Sequence, residues 1–298
     1  MESSDLHVAL VGDSVLDDHY WLDQPADDVR AQTERTLKQV YPERNIVVHN
    51  FAVDEATISC VIRGQTPAAH YRDGRIKANM EPYPVGKDGF VRPLELLRRA
   101  KPTHVVLSIG GNDARLRFLQ SRNPDVITEL MITDGFVTNL RRLVETIRSQ
   151  VTPNIIIVYV FMPEFKLVPL LSMLPPARIL KHLLVNFSKF FIELAVEYCL
   201  PIIDLSRTFD PNNKAHYGSA PIEPSNVSGQ FIADLITQVL EQFRFGQETT
   251  GKIFSGVGEE FKVQDLGPSA SPTFSYEREL KAFLDRKSAA KPPTCTVG

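Results

Sequence analysis

Apolar residues gather in five short, β-branched runs along the chain, at 6–11, 45–51, 104–109, 154–161 and 201–205. Three of these are almost unbroken Val, Ile and Leu. Such runs predict strands buried on both faces, as in a parallel sheet covered by helices, and not the alternation of a half-solvated strand. Between the runs the period becomes helical. Residues 27–41 predict a surface helix that is polar all round, and 94–100 a short one that ends before Pro102. In 134–150, Phe136, Leu140, Leu143, Val144 and Ile147 recur on one face. Residues 183–198 are more apolar and predict a well-buried helix. The last helix is predicted at 228–245, with Phe231, Ile232, Leu235, Ile236, Val239 and Leu240 on one side. Strand and helix alternating in this way imply a doubly wound α/β sheet in a single domain over residues 1–245.

Three stretches fall outside the rhythm. Residues 64–93 are rich in Gly and Pro, and Asp73-Gly74 predicts a turn or small hairpin. Residues 165–179 (FKLVPLLSMLPPARI) are apolar but broken by Pro169, Pro175 and Pro176, too short and interrupted to span a membrane. They read as a loop packed on the core or as an apolar lid over a substrate. Beyond Gly246 the composition turns to Gly, Ser, Pro and charge. A flexible tail is expected at 246–298, with one short amphipathic helix at 276–287.

Composition narrows the function. Over 298 residues the formal net charge is −3, with no basic stripe, which argues against a nucleic-acid binder. Cys60, Cys199 and Cys295 are too few and too scattered for a zinc site or a disulfide framework, so a reducing compartment is expected. The segment MESSDLHVALVGDS lacks the cationic lead of a signal peptide, and the reading is cytoplasmic. Neither a metal-ligand spacing nor a glycine-rich nucleotide loop follows any predicted strand, so no metal and no cofactor is expected. Nothing in the chain points to a particular protein partner.

Ligands of a doubly wound sheet bind beyond the carboxyl ends of the strands, near the switch in strand order. Polar or glycine-rich clusters stand at three of those ends: Gly12-Asp13-Ser14, Asn50-Phe51-Ala52-Val53-Asp54 and Gly110-Gly111-Asn112-Asp113. Taken singly, each has a bland explanation, since Ser14 could cap a helix and Gly110-Gly111 could be a tight turn. Taken together, a hydroxyl, an amide and a free backbone N–H around one crevice are the parts of a nucleophile and an oxyanion hole.

The blocks GDSV at the amino terminus, NFAVDEAT after the second strand and GGND after the third resemble the first three blocks of the GDSL/SGNH hydrolase superfamily. The resemblance runs from about residue 6 to 243. It implies a three-layer α/β/α fold with a flavodoxin-like, five-stranded parallel sheet, and a serine hydrolase acting on a small-molecule carboxylic ester. Carried over, it makes Ser14 the nucleophile and an oxyanion donor through its N–H. It puts Ala52 at the family's oxyanion glycine and makes Asn112 the oxyanion asparagine. Alanine keeps the backbone donor but adds a methyl group where substrate approaches.

One block departs from the family. The general base and its orienting carboxylate belong to an Asp-x-x-His pair followed by Pro, whereas this chain reads Ala220-Pro221-Ile222-Glu223-Pro224. Glu223 stands in the histidine slot and Ala220 in the aspartate slot. A serine hydroxyl needs a base within hydrogen-bond reach. Glu223 could serve if burial raises its pKa, or instead only contact the N-terminus of the next helix. His216, earlier in the same loop, could swing in, or be a solvated surface residue. Asp13, Asp17 and Asp18 are expected to stabilise the turn, while Asp54 and Asp113 could orient a partner. With no base in place, the protein would be a binding or scaffold protein that keeps the pocket without turnover.

Overall fold

A computed structural model of the protein describes residues 5–69, 83–120, 135–159, 178–210, 213–220 and 222–266. Its centre is one sheet. β1 (Leu6–Gly12), β2 (Ile46–Asn50), β3 (His104–Ser108), β4 (Ile155–Tyr159) and β5 (Pro201–Asp204) are the five expected strands. They lie side by side in the order β2-β1-β3-β4-β5, every neighbouring pair parallel.

The sheet continues past the expected five. β6 (Lys252–Ser255) pairs parallel with β5, and β7 (Lys262–Asp265) runs antiparallel along β6, giving seven strands. The count of five is thus corrected, and residues 252–265, expected in a flexible tail, form an edge of the sheet. Periodicity missed them for a physical reason. β6 buries only Ile253 and Phe254 as large apolar side chains, and β7 is a largely exposed edge strand of sequence KVQD with no apolar run.

Helices cover both faces, as three layers require. Along β1, Ala9 and Val11 point to one face and Val8 and Leu10 to the other, the period-2 alternation of a strand. On the first face lie α2 (Ile58–Arg63), α3 (Pro93–Ala100), α5 (Phe136–Gln150) and α6 (Arg178–Tyr198). They bury Val61, Leu97, Leu143, Phe191 and Ala195 against Val105, Leu107, Ile155 and Ile202. On the second face α1 (Val29–Val40) and α7 (Asn226–Gln242) pack Leu37, Ile232, Ile236 and Val239 against Leu10, Val106, Ile156 and Ile203. Local chemistry sets the helix starts. The Asp28 carboxylate accepts the Ala31 N–H at the start of α1, and Ser225 with Ser228 forms a reciprocal capping box on α7. α4 (Gly111–Gln120), which carries the third polar cluster, was not foreseen as a helix. The expected hairpin at Asp73-Gly74, most of the proline-broken 165–179 stretch and the helix at 276–287 lie outside the described residues.

β1 feeds β2 on one side and β3 on the other, so the switch in strand order falls between β1 and β3. In a doubly wound sheet that places the ligand crevice at the carboxyl ends of these strands, beside Ser14 and Asn112.

Candidate active site

Backbone pairing draws the three polar clusters together. The Asp13 N–H donates to the Ser108 carbonyl (3.0 Å) and the Val53 N–H to the Gly12 carbonyl (2.9 Å). The Asn112 side-chain amide donates to the Ala56 carbonyl (3.1 Å). Gly12 is essential to this meeting. Its φ is +142°, and a Cβ there would sit 1.6 Å from the Ser108 carbonyl oxygen, so only glycine lets β1 leave the sheet against β3.

Ser14 follows directly, in a turn closed by Leu16 and Asp17 N–H groups on the Asp13 carbonyl. Its hydroxyl caps no helix; it donates to Glu223 Oε1 at 3.0 Å. Both residues are buried, at 8% and 4% exposure. The Ser14 N–H makes no hydrogen bond among the described residues, and neither does the second N–H of the Asn112 amide. Among the described residues, two donors just beyond the carboxyl ends of β1 and β3 are therefore uncommitted.

Glu223 sits just before α7, yet its carboxylate does not cap that helix, a task performed by Ser225. Oε2 is buried with no partner among the described residues. Desolvation pushes the Glu223 pKa well above the usual carboxylate range. The negative charges of Asp54 and Asp13 push the same way, while the Ser14 hydrogen bond and the Arg115 guanidinium oppose them.

The Ala52 N–H is already committed to Asn50 Oδ1 (3.0 Å), and the same Asn50 side chain donates to the Leu16 carbonyl (3.0 Å). Ala52 is thus beside the site, but its donor is in use. His216 is not brought to Ser14. Its Nδ1 accepts the Asp210 N–H at 2.9 Å, and Nε2 lies 3.1 Å from the Asn213 amide, in its own loop. Its ring packs against Phe209 and Phe231.

Asp13, Asp17 and Asp54 are internal to the site. Burial raises Asp13 and Asp17 to about 7 and Asp54 to about 6. Asp13 accepts from the Val15 N–H and the Ser108 hydroxyl, and Asp17 from the Asp54 N–H and the Tyr83 hydroxyl. They tie the turn together, as expected of Asp13 and Asp17. Asp18 does so through the Val29 N–H, and Asp113 holds the start of α2 through the Ile58 N–H. Arg115, whose charge acts on both Asp54 and Glu223, was not picked out from the sequence. Its position one helical turn beyond Asn112 was the only available signal. Glu55, at φ +64°, holds a left-handed backbone that favours glycine. On the β2 side a cavity of about 640 Å³ reaches Asp17, Asn50, Ala52 and Tyr83, within the range of small-molecule sites. Among the described residues there is no group of His, Cys, Asp and Glu able to hold a metal ion, and no helix is long and apolar enough to cross a membrane.

Sheet order and a polar cluster at the switch point put the protein in the class of doubly wound α/β proteins with a crevice for a small ligand. Within that class it belongs to the GDSL-like lipase/acylhydrolase family, a family of ester hydrolases, whose model matches residues 10–225. No curated protein matches the sequence. Among solved structures, the lipase Lip_vut3 from a goat rumen metagenome is 13% identical with a TM-score of 0.54, over 81% of this chain and 99% of its own. A protein described as a GDSL-like lipase from Parabacteroides merdae is 13% identical with a TM-score of 0.51, over 80% and 96%. A lipase/acylhydrolase from Enterococcus faecalis is 16% identical with a TM-score of 0.49, over 82% and 100%. At these identities the first two support the shared fold alone.

Proposed function

We propose that the protein hydrolyses a small carboxylic ester through a serine–glutamate dyad, with Ser14 as nucleophile and Glu223 as general base. The observation that carries this reading is the 3.0 Å hydrogen bond from the Ser14 hydroxyl to a buried carboxylate. An exposed glutamate would be too weak a base; one held in low dielectric beside Asp54 and Asp13 has a higher proton affinity. Ser14 Oγ attacks the ester carbonyl as its proton passes to Glu223 Oε1. The Ser14 N–H and the free N–H of Asn112 receive the oxyanion. Glu223 then protonates the departing alkoxide and leaves an acyl-Ser14. In the second half, water attacks the acyl carbon while giving its proton to Glu223, and the acid departs as Ser14 recovers the proton. Ala52 would add a third donor only if Asn50 released its N–H.

One observation favours the rival, a binding protein without turnover. A glutamate whose pKa is driven far enough up is a neutral acid at neutral pH and cannot take the serine proton. Fluorophosphonate labelling from pH 6 to 9 separates the two readings. The hydrolase reading expects labelling of wild type that strengthens with pH and none in Ser14→Ala. No labelling of wild type at any of these pH values refutes it and leaves the binding protein.

A further inference from the structure

Ser14 and Glu223 are separated by 209 residues, so their bond depends on what fixes one loop against the other. Glu223 rides on a tight reversal. Tyr217 and Pro224 form an antiparallel bridge, the Gly218 N–H donates to the Glu223 carbonyl (2.9 Å), and the Glu223 N–H donates to the Ala220 carbonyl (3.0 Å). On its α7 side the reversal is held through the His216 carbonyl, which accepts the Ser225 N–H and the Ser228 hydroxyl.

On the Ser14 side the reversal meets Trp21. The Trp21 carbonyl accepts two bonds from one residue, the Ser219 N–H at 2.8 Å and the Ser219 hydroxyl at 2.9 Å. Gly218 is pressed onto the same oxygen, where a Cβ would lie 2.8 Å away. Trp21 is itself tied back, its N–H donating to the Asp18 carbonyl (2.8 Å) at the end of the Ser14 turn. The path Ser14 turn, Asp18, Trp21, Ser219, Glu223 is a short clamp that spans the dyad from outside.

We propose that Ser219, through the Trp21 carbonyl, is a positioning residue that holds the Glu223 carboxylate against the Ser14 hydroxyl; this rests on the hydrolase reading above. Ser219 is exposed and adds no core packing, so its hydroxyl bears on the placement of the loop. Proton transfer is sensitive to such placement, because a misfit of about 1 Å at a reacting pair can cost about 10²-fold in rate.

The test is p-nitrophenyl acetate turnover by wild type, Ser219→Ala, Ser219→Thr, Glu223→Gln and the Ser219→Ala/Glu223→Gln double variant. Losing one hydrogen bond of this kind predicts a fall of about fivefold in kcat for Ser219→Ala, with KM held within about twofold. Ser219→Thr, which keeps the hydroxyl, restores the rate. In the Glu223→Gln background the same change has no further effect, since no base remains to be placed. A merely structural role would instead lower the rate by the same factor in both backgrounds, and that result overturns the inference, as does a Ser219→Ala protein with wild-type kcat or a Thr variant as slow as the Ala one. A wild type inert towards both the ester and fluorophosphonate removes the hydrolase reading and this inference together.

Discussion

Replacing Glu223 by glutamine separates the shape of the site from its proton chemistry. Gln keeps the length of the side chain and an oxygen that can accept the Ser14 hydrogen bond, so the hydroxyl stays in place and only the proposed base is lost. General-base catalysis contributes about 10²–10⁴-fold, so kcat at pH 8 should fall about 10³-fold, near 4 kcal/mol of barrier, with KM little changed. Stability should respond in a pH-dependent way. In the unfolded chain Glu223 ionises near its ordinary 4.5, whereas burial in the folded protein keeps it protonated well above that. The stabilisation from that raised pKa is complete below 4.5 and is lost as pH climbs through the folded value. Relative to the wild type, the Gln variant therefore gains about 1.4 kcal/mol for each pH unit above 4.5, until the folded glutamate itself ionises. A constant offset of about 1–3 kcal/mol against Gln is expected if its amide meets no acceptor at the Oε2 position, so the slope and not the absolute difference is diagnostic. Steady-state hydrolysis of p-nitrophenyl butyrate, together with urea unfolding at pH 4.5 to 8 followed by fluorescence of Trp21, the single tryptophan, measures both quantities. A Gln variant with kcat within tenfold of wild type, or a stability difference flat in pH, would refute the reasoning.

Two further outcomes follow from the same geometry. Asn112→Ala removes one oxyanion donor and should lower kcat about 10²–10³-fold, with circular dichroism unchanged; a loss under threefold would exclude Asn112 from the oxyanion hole. Gly12→Ala forces a methyl group to 1.6 Å from the Ser108 carbonyl at φ +142°, and should cost about 3 kcal/mol or more. Urea midpoints within experimental error of wild type would show that β1 and β3 can part without penalty.

The five parallel strands were legible because β1, β3 and β4 are buried on both faces and so spelled in almost unbroken Val, Ile and Leu, with β2 and β5 as shorter β-branched runs beside them. β6 and β7 were not, because an edge pair of four-residue strands needs only Ile253 and Phe254 inside. Ser14 and Asn112 drew notice through residue type and place after a strand, and Glu223 through its slot in the block that departs from the resembled family. The occupation of the Ala52 N–H could not be read there, since it depends on which way the Asn50 side chain turns. His216 could be read in the sequence as a spare base or as a solvated surface residue; which of its ring atoms the backbone of Asp210 occupies shows only in the fold. The tie between Trp21 and Ser219 joins segments almost 200 residues apart through a main-chain carbonyl, for which side-chain chemistry offers no signal.

The two members of the proposed dyad stand 209 residues apart, so a ribosome makes the serine long before the carboxylate. A nascent polypeptide thus carries Ser14 without its hydrogen-bond partner until the segment leading into α7 has emerged and docked. Fragments ending ahead of that segment would lack α7, β6 and β7 as well, leaving α1 as the remaining described helix over the second face, so the pairing and the packing of the sheet wait on the same stretch of chain.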